Sequence, residues 1–209
     1  MSEKMKHMTT AGTSASRRPR TPSADVQREL IAAAEAVLER EGPGGLTVRA
    51  VATAAGIAPM GVYNRLGGKD GLVEALLIVG FDRLRAAIGG GAEPDLIERL
   101  RACGLRYRQF ALSSRHYYAI MFEDAIPHDF DSPEVAAHAA AAFDALVRNV
   151  ETVAAAGLIV APDPREVAQQ IWSTVHGAMA LEMNGLIQTP DPEASYRGTL
   201  EMVIRGLRA

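Results

Sequence analysis

No stretch of this sequence alternates apolar and polar residues, with β-branched residues on one side, as a half-buried strand does. Apolar residues instead recur at helical spacing, first at Leu30, Ile31, Ala34, Val37 and Leu38. Glycine and proline cut these periodic segments apart, and that pattern limits the chain to helices packed on helices. Composition agrees. Alanine, leucine, arginine and glutamate dominate, hydrophobic residues make up 48% and aromatics only 5%. The expected fold class is all-α. A length of 209 residues suffices for one or two domains with a sizeable core.

The punctuation places the elements. Residues 1–21 are rich in Ser, Thr, Lys and Arg and read as a disordered basic arm. It ends in the cluster Arg17, Arg18, Arg20, for which a solvated tail is the plain alternative. Thr21-Pro22-Ser23 opens the first helix, and EGPGG (Glu41 to Gly45) ends it. Thr47 caps a second helix with Val48, Val51 and Ala52 inward, and Ala54-Ala55-Gly56 closes it. Pro59 then starts a short third helix ending near Arg65. A longer helix follows from about Asp70 to Ala87.

Gly89-Gly90-Gly91 with Glu93-Pro94 marks the division between residues 22–88 and residues 92–209. In the second part the spacing predicts helices over Asp95 to Ser113, within SSRHYYAIMF, over Glu134 to Ala156, from Pro164 to Gly185, and from Pro192 to the end. Pro127 and Asp131-Ser132-Pro133 mark a loop. The total is about nine helices.

Charge is divided unevenly. Residues 1–72 carry ten Lys/Arg against seven Asp/Glu, a net +3; the remainder carries twelve against eighteen, a net −6. A basic first third on an acidic body suggests a local anion-binding surface.

Helix, short helix, glycine turn, short helix is a helix-turn-helix arrangement. Within GIAPMGVYNRL, Ile57 and Val62 are the apolar anchors, and Met60, Gly61, Tyr63 and Asn64 face outward. A helix this short fits a major groove about 12 Å wide. Gly61 permits close approach of the sugar-phosphate chain, Tyr63 offers a hydroxyl to phosphate, and Asn64 pairs with adenine or phosphate. Lys69 stands at the start of the next helix, where its charge and free backbone N–H groups both attract phosphate. Thr47 and Arg49 complete the candidate DNA-binding set, with the arginines of the arm.

On these residues the segment Leu46 to Leu76 resembles the DNA-binding domain of TetR-family transcriptional regulators. Thr47, Ala54-Ala55-Gly56, Tyr63, Lys69 and Leu72 fill that domain's characteristic positions. Leu66 stands where the family usually has Phe. Ala58 stands where it often has Ser, a lost cap of about 1 kcal/mol. The match spans roughly residues 23 to 77. Farther on, Trp172, His176 and Gly177 resemble the Trp-x-x-x-His-Gly signature of one TetR subgroup.

The resemblance implies a homodimer, formed when the last two helices pack against their copies as a four-helix bundle. The stripe Val167, Ile171, Val175, Ala178 and Met179, with Leu200, Val203, Ile204 and Leu207, is the expected contact. It also implies a palindromic operator in double-stranded DNA, release by a small, mainly apolar effector, and a repressor's role. Tyr107, Phe110, Tyr118, Met121, Phe122, Phe143, Trp172, His176 and Met179 are the candidate effector-binding residues, alongside Tyr117 and Met183. Aromatics and methionines at helical spacing are ordinarily core, and His176 is as readily a structural residue.

Other chemistry finds little support. The five histidines show no HxxxH pairing, so neither a metal nor a cofactor is expected. Ser113-Ser114 near His116 lacks the glycine elbow of a nucleophile. A helical small-molecule-binding protein or enzyme without DNA function remains the alternative. Cys103 is the single cysteine, which excludes an internal disulfide. No apolar run reaches membrane-spanning length and no signal-peptide centre is present, so no membrane partner and a cytoplasmic location are expected.

Overall fold

The computed structural model of the chain describes residues 23–123, 125–126 and 132–208. Residues 1–22, including Arg17, Arg18 and Arg20, lie outside the described residues, as do Pro127 and Asp131 of the expected loop. Nine α-helices follow one another among the described residues: α1 (Ser23–Gly45), α2 (Val48–Ala54), α3 (Pro59–Leu66), α4 (Lys69–Gly89), α5 (Leu96–Ser113), α6 (Arg115–Phe122), α7 (Pro133–Ala155), α8 (Pro164–Met183) and α9 (Pro192–Leu207). No strand occurs among them. A lone antiparallel bridge between Ile159 and Arg208 ties the chain's end to the turn after α7.

The helix boundaries follow local chemistry. Proline takes the first position of α3, α7, α8 and α9, where its missing N–H has no partner to lose. The carboxylates of Asp95, Asp163 and Asp191 accept backbone N–H groups at the starts of α5, α8 and α9, as capping requires. In α1 the regular helix breaks at Gly42, whose φ of 69° only glycine adopts without strain. One further turn then carries Pro43.

One apolar core runs through the molecule. α4 is its axis and belongs to both halves. Leu72, Val73, Leu76 and Leu77 are buried near its start and Phe81, Leu84 and Ile88 near its end. It packs on α1 and α3 on one side and on α5, α6 and α7 on the other. α6 crosses α4 at Gly80, where an added Cβ would come within 2.7 Å of the Met121 sulfur and 2.9 Å of the Tyr117 ring. Only glycine allows that crossing.

The structure corrects part of the stripe assigned to dimer contact. Val167, Ile171, Val175 and Met179 of α8, and Leu200 and Ile204 of α9, are buried inside the single chain. Val175, Met179, Leu200 and Ile204 face the chain's own core, whereas Val167, Ile171, Val203 and Leu207 also border an open hollow of about 290 Å³ between α8 and α9. The faces these helices leave most open are different. On α8 they carry Gln170, Thr174, Gly177 and Leu181, with Leu181 48% exposed; on α9 they carry Gly198, Met202 and Gly206, with Met202 60% exposed.

Candidate DNA-reading surface and effector cavity

The turn between α2 and α3 sets the direction of α3. Thr47 Oγ1 accepts the Ala50 N–H at 3.1 Å, so its hydroxyl is already used in capping α2. At the other end Gly56, with φ 66°, donates to the Thr53 carbonyl, and Ile57 N–H donates to the Ala52 carbonyl. This is a glycine-closed helix end. α3 then opens at Ala58 with no side-chain cap, and Pro59 supplies the start.

Val62 is fully buried and fixes the orientation of α3. At 100° per residue, Met60 and Asn64 lie opposite Val62, with Tyr63 and Gly61 on the flanks. Met60 is 64% exposed, Tyr63 53% exposed, and Asn64 is exposed. The Tyr63 ring rests on Gly68, where an added Cβ would come within 3.0 Å of it. Gly61 has a second role that the sequence did not suggest: a Cβ there would meet Ile57 Cδ1 at 2.8 Å, so the glycine makes room for that anchor.

Lys69 is the first residue of α4 and is exposed. Arg49 and Arg65 are exposed too. Among the described residues these three cations have no ion-pair partner, whereas Arg28, Arg40 and Arg83 are paired with Asp25, Glu41 and Glu35. Cations without a carboxylate partner beside an exposed helix are open to an anion such as phosphate. Arg65 was not among the candidates, though it is the sole cation on α3.

In the C-terminal half the expected effector-binding residues divide. Tyr107, Tyr118, Phe122, Phe143, Trp172 and His176 form one aromatic cluster. The rings of Trp172 and His176 stack with centroids 6.1 Å apart and planes 10° apart. Phe122 meets both edge-on, at 5.9 and 4.9 Å. Phe143 meets Trp172, and Tyr118 stacks on His176. The Tyr107 hydroxyl lies 2.7 Å from His176 Nδ1, and the Tyr118 hydroxyl 3.5 Å from it. Burial pulls the His176 pKa below the ordinary imidazole value, an effect that Glu123 opposes, and burial raises the pKa of both tyrosines. Burial thus favours the neutral imidazole, whose Nδ1 shares a hydrogen bond with the Tyr107 hydroxyl. Phe110, Met121 and Met179 are buried outside this cluster, Met121 against Gly80.

A cavity of about 30 Å³ lies beside the cluster, and Tyr107 and Trp172 belong to its wall. Apart from Cys103 and Gly104 the rest of the wall is aliphatic, drawn from α4, α5, α7, α8 and α9; Ile88, Leu100, Ile171, Val175 and Ile204 carry no signal in sequence that separates them from ordinary core. Polar groups near it are satisfied. The Asn149 amide donates to the Ile88 and Ala145 carbonyls, and the Tyr196 hydroxyl donates to the Gly104 carbonyl. Cys103 also faces the cavity, and burial pushes its thiol up to about 11. Such a thiol is inert.

The two halves meet at α6. The Tyr117 hydroxyl donates to Glu35 Oε1 of α1 at 2.6 Å, and Arg83 of α4 donates to the same oxygen at 2.6 Å. The Arg83 guanidinium also lies 5.0 Å from the centre of the Tyr117 ring. The next residue, Tyr118, belongs to the aromatic cluster.

Residues 30–76 match the family described as bacterial regulatory proteins, tetR family, and residues 100–203 match the tetracyclin repressor-like C-terminal domain. The chain belongs to the TetR family of transcriptional regulators. A curated relative, an uncharacterised HTH-type transcriptional regulator of Mycobacterium tuberculosis, is 27% identical over 189 residues, covering 87% of this chain and 80% of its own length. A solved structure of a protein of unknown function from Rhodococcus sp. RHA1 is 29% identical, with TM-score 0.78, covering 88% of this chain and 96% of that one. A bacterial regulatory protein of the tetR family from Rhodococcus RHA1, 22% identical over 88% of this chain and 97% of its own, shares the fold with TM-score 0.63.

As a TetR-family protein the chain is a DNA-binding regulator with a C-terminal ligand-binding domain, and not an enzyme. Among the described residues no helix is long and apolar enough to cross a membrane, and no group of histidine, cysteine and carboxylate side chains could hold a metal ion.

Proposed function

We propose that this TetR-family regulator is a homodimeric repressor that leaves a palindromic operator when a small, mainly apolar effector enters the cavity between α4, α5, α7, α8 and α9. The observation that carries the DNA side is the free face of α3. Met60 and Asn64 stand at its centre, Tyr63 is braced on Gly68, and Lys69, Arg49 and Arg65 have no carboxylate partner among the described residues. Phosphate contacts from Tyr63 and the cations would hold the register, and Met60 and Asn64 would read base edges.

The open stripes of α8 and α9 support dimerisation through these two helices. Gln170, Thr174, Gly177 and Leu181 recur at one-face spacing, as do Gly198, Met202 and Gly206. A Cβ at Gly177, Gly198 or Gly206 would meet nothing within 4 Å, so a second pair of helices has room to approach closely. Two reading helices then reach successive major grooves about 34 Å apart on one face of a duplex. In this reading the protein acts in the cytoplasm.

For the effector, the wall of the cavity supports an apolar molecule, because it holds no charge to pair with one. At about 30 Å³ the cavity holds a water molecule or so, whereas ligand sites run to roughly 300 Å³ or more. Binding would therefore have to part the helices around it. α6, joined to the cluster by Tyr118 and to α1 by Tyr117, is placed to pass that movement on.

Mobility shift with the protein's own upstream DNA tests the reading. Tyr63→Ala and Lys69→Ala should weaken binding on every sequence and leave the dimer intact, while Met60 or Asn64 changes should alter sequence preference. Eight phosphate contacts per dimer give a salt slope of roughly −7. Salt-independent affinity, or tight binding without Lys69, would overturn it.

A further inference from the structure

The segment joining α4 to α5, residues 90–95, is held down by an unusual latch. Arg99 donates twice to the Glu93 carbonyl, at 3.2 and 2.8 Å, and Arg106 donates to Glu93 Oε1 at 2.9 Å. Yet Glu93 Oε2 and Arg106 Nε and Nη2 are buried without a hydrogen-bond partner, the only side-chain atoms in that condition among the described residues. Buried polar atoms left unpaired are costly, and in a native structure they call for an explanation. Opening the segment would return them to water, so the closed state gains less from its own latch than the contacts suggest.

What lies on either side supplies the explanation. Inside is the apolar cavity, with Ile88 at the end of α4 and Leu100 on α5 in its wall. Outside is an open depression of about 610 Å³ bounded by Pro94, Ile97, Leu158 and Arg208. On α5 the depression ends at Ile97 and Glu98, and the cavity begins at Leu100. On α9 the cavity ends at Ile204, and the depression begins at Arg208, just past the helix. On two separate helices the hollows are one turn apart, about 5 Å along the axis. Ile97, itself buried, stands in that turn.

We infer that this end of the molecule is the effector's entry port, with Ile97 as its gate and the Glu93–Arg106 latch holding the gate shut. This rests on the reading of the cavity as the effector's place. The ligand class it admits is a neutral apolar molecule, since a charged one would pass an aliphatic gate with its charge unpaired.

The test uses N-phenyl-1-naphthylamine, a neutral apolar fluorophore, and energy transfer from Trp172, the sole tryptophan, in stopped-flow mixing with the full chain. Ile97→Ala should raise the association and dissociation rates together by about tenfold, a lowered barrier rather than a better site. The Kd should stay within about twofold, because paired rate changes cancel in it. Glu93→Gln, which keeps the side chain's shape and removes its charge, should act in the same direction and guards against a folding defect in the first variant. Uptake unmoved by both variants but accelerated by Phe122→Ala, at the cluster, would overturn the port and leave the cavity standing. Failure of the wild-type chain to take up the probe would overturn the cavity reading and the port with it.

Discussion

Removing the hydroxyl of Tyr117 should show how firmly the DNA-reading half is fastened to the rest. In the structure that hydroxyl donates to Glu35 Oε1 across 82 residues of sequence, and Arg83 shares the same oxygen. A hydrogen bond to a charged acceptor contributes roughly 1.5–3 kcal/mol. The lower end applies here, because the Glu35 side chain is 23% exposed and keeps Arg83 when the tyrosine leaves. Tyr117→Phe should therefore cost about 1.5 kcal/mol, since the ring and its packing on Gly80 remain. For a chain of this size that is a fall in Tm of roughly 3–6 °C, measured at fixed protein concentration so that dimerisation does not intrude. Tyr117→Ala should cost about 3–5 kcal/mol, since it also empties the site of a ring. The deciding comparison is the same Phe change in a Glu35→Ala background, where its cost should nearly vanish. An equal cost with and without Glu35 would refute the reasoning and assign the effect to packing alone.

Three further outcomes follow from the geometry. Gly71→Ala should abolish operator binding in mobility shift, because a Cβ there would overlap the Leu66 carbonyl oxygen and push α3 off α4; unchanged binding would show that the junction yields. His176 has a folded-state pKa below its unfolded value, so the unfolded chain takes up the proton first. Stability should fall as pH drops below about 6.5 and stop falling at the folded value; His176→Gln should flatten that part of a melting profile, and an equally steep profile in the variant would locate the effect elsewhere. Cys103, with its thiol near 11, should resist iodoacetamide in the native protein at pH 7 and react only on unfolding; prompt native labelling, followed by mass spectrometry, would contradict its burial.

The helix-turn-helix was legible because its signals are local. A capping threonine, a left-handed Gly56 and the proline at the start of α3 each act on residues within a turn or two, and the structure puts each in that place. The same holds for the aspartates and prolines that open α8 and α9. The face of α8 was assigned only in part, for a physical reason. Periodicity reveals an apolar stripe but not which neighbour covers it, and here α5 and α7 of the same chain cover much of it, at Val175 for example. The aromatic cluster could be guessed, since its residues are few and distinctive. The cavity wall could not, because Leu100 and Ile204 look like any core residue until five helices are assembled around them. The link from Tyr117 to Glu35 was hidden by separation in sequence.

Tyr117 and Tyr118 are consecutive, and on a helix consecutive side chains diverge by about 100°. One therefore grips the regulator's first helix while the other lies in its ring stack, and eight residues of α6 carry both. With no flexible joint between them, the pair works like two teeth on one small cogwheel. The glycine notch in α4 is the bearing, and a shift of α6 as a body would carry both teeth with it.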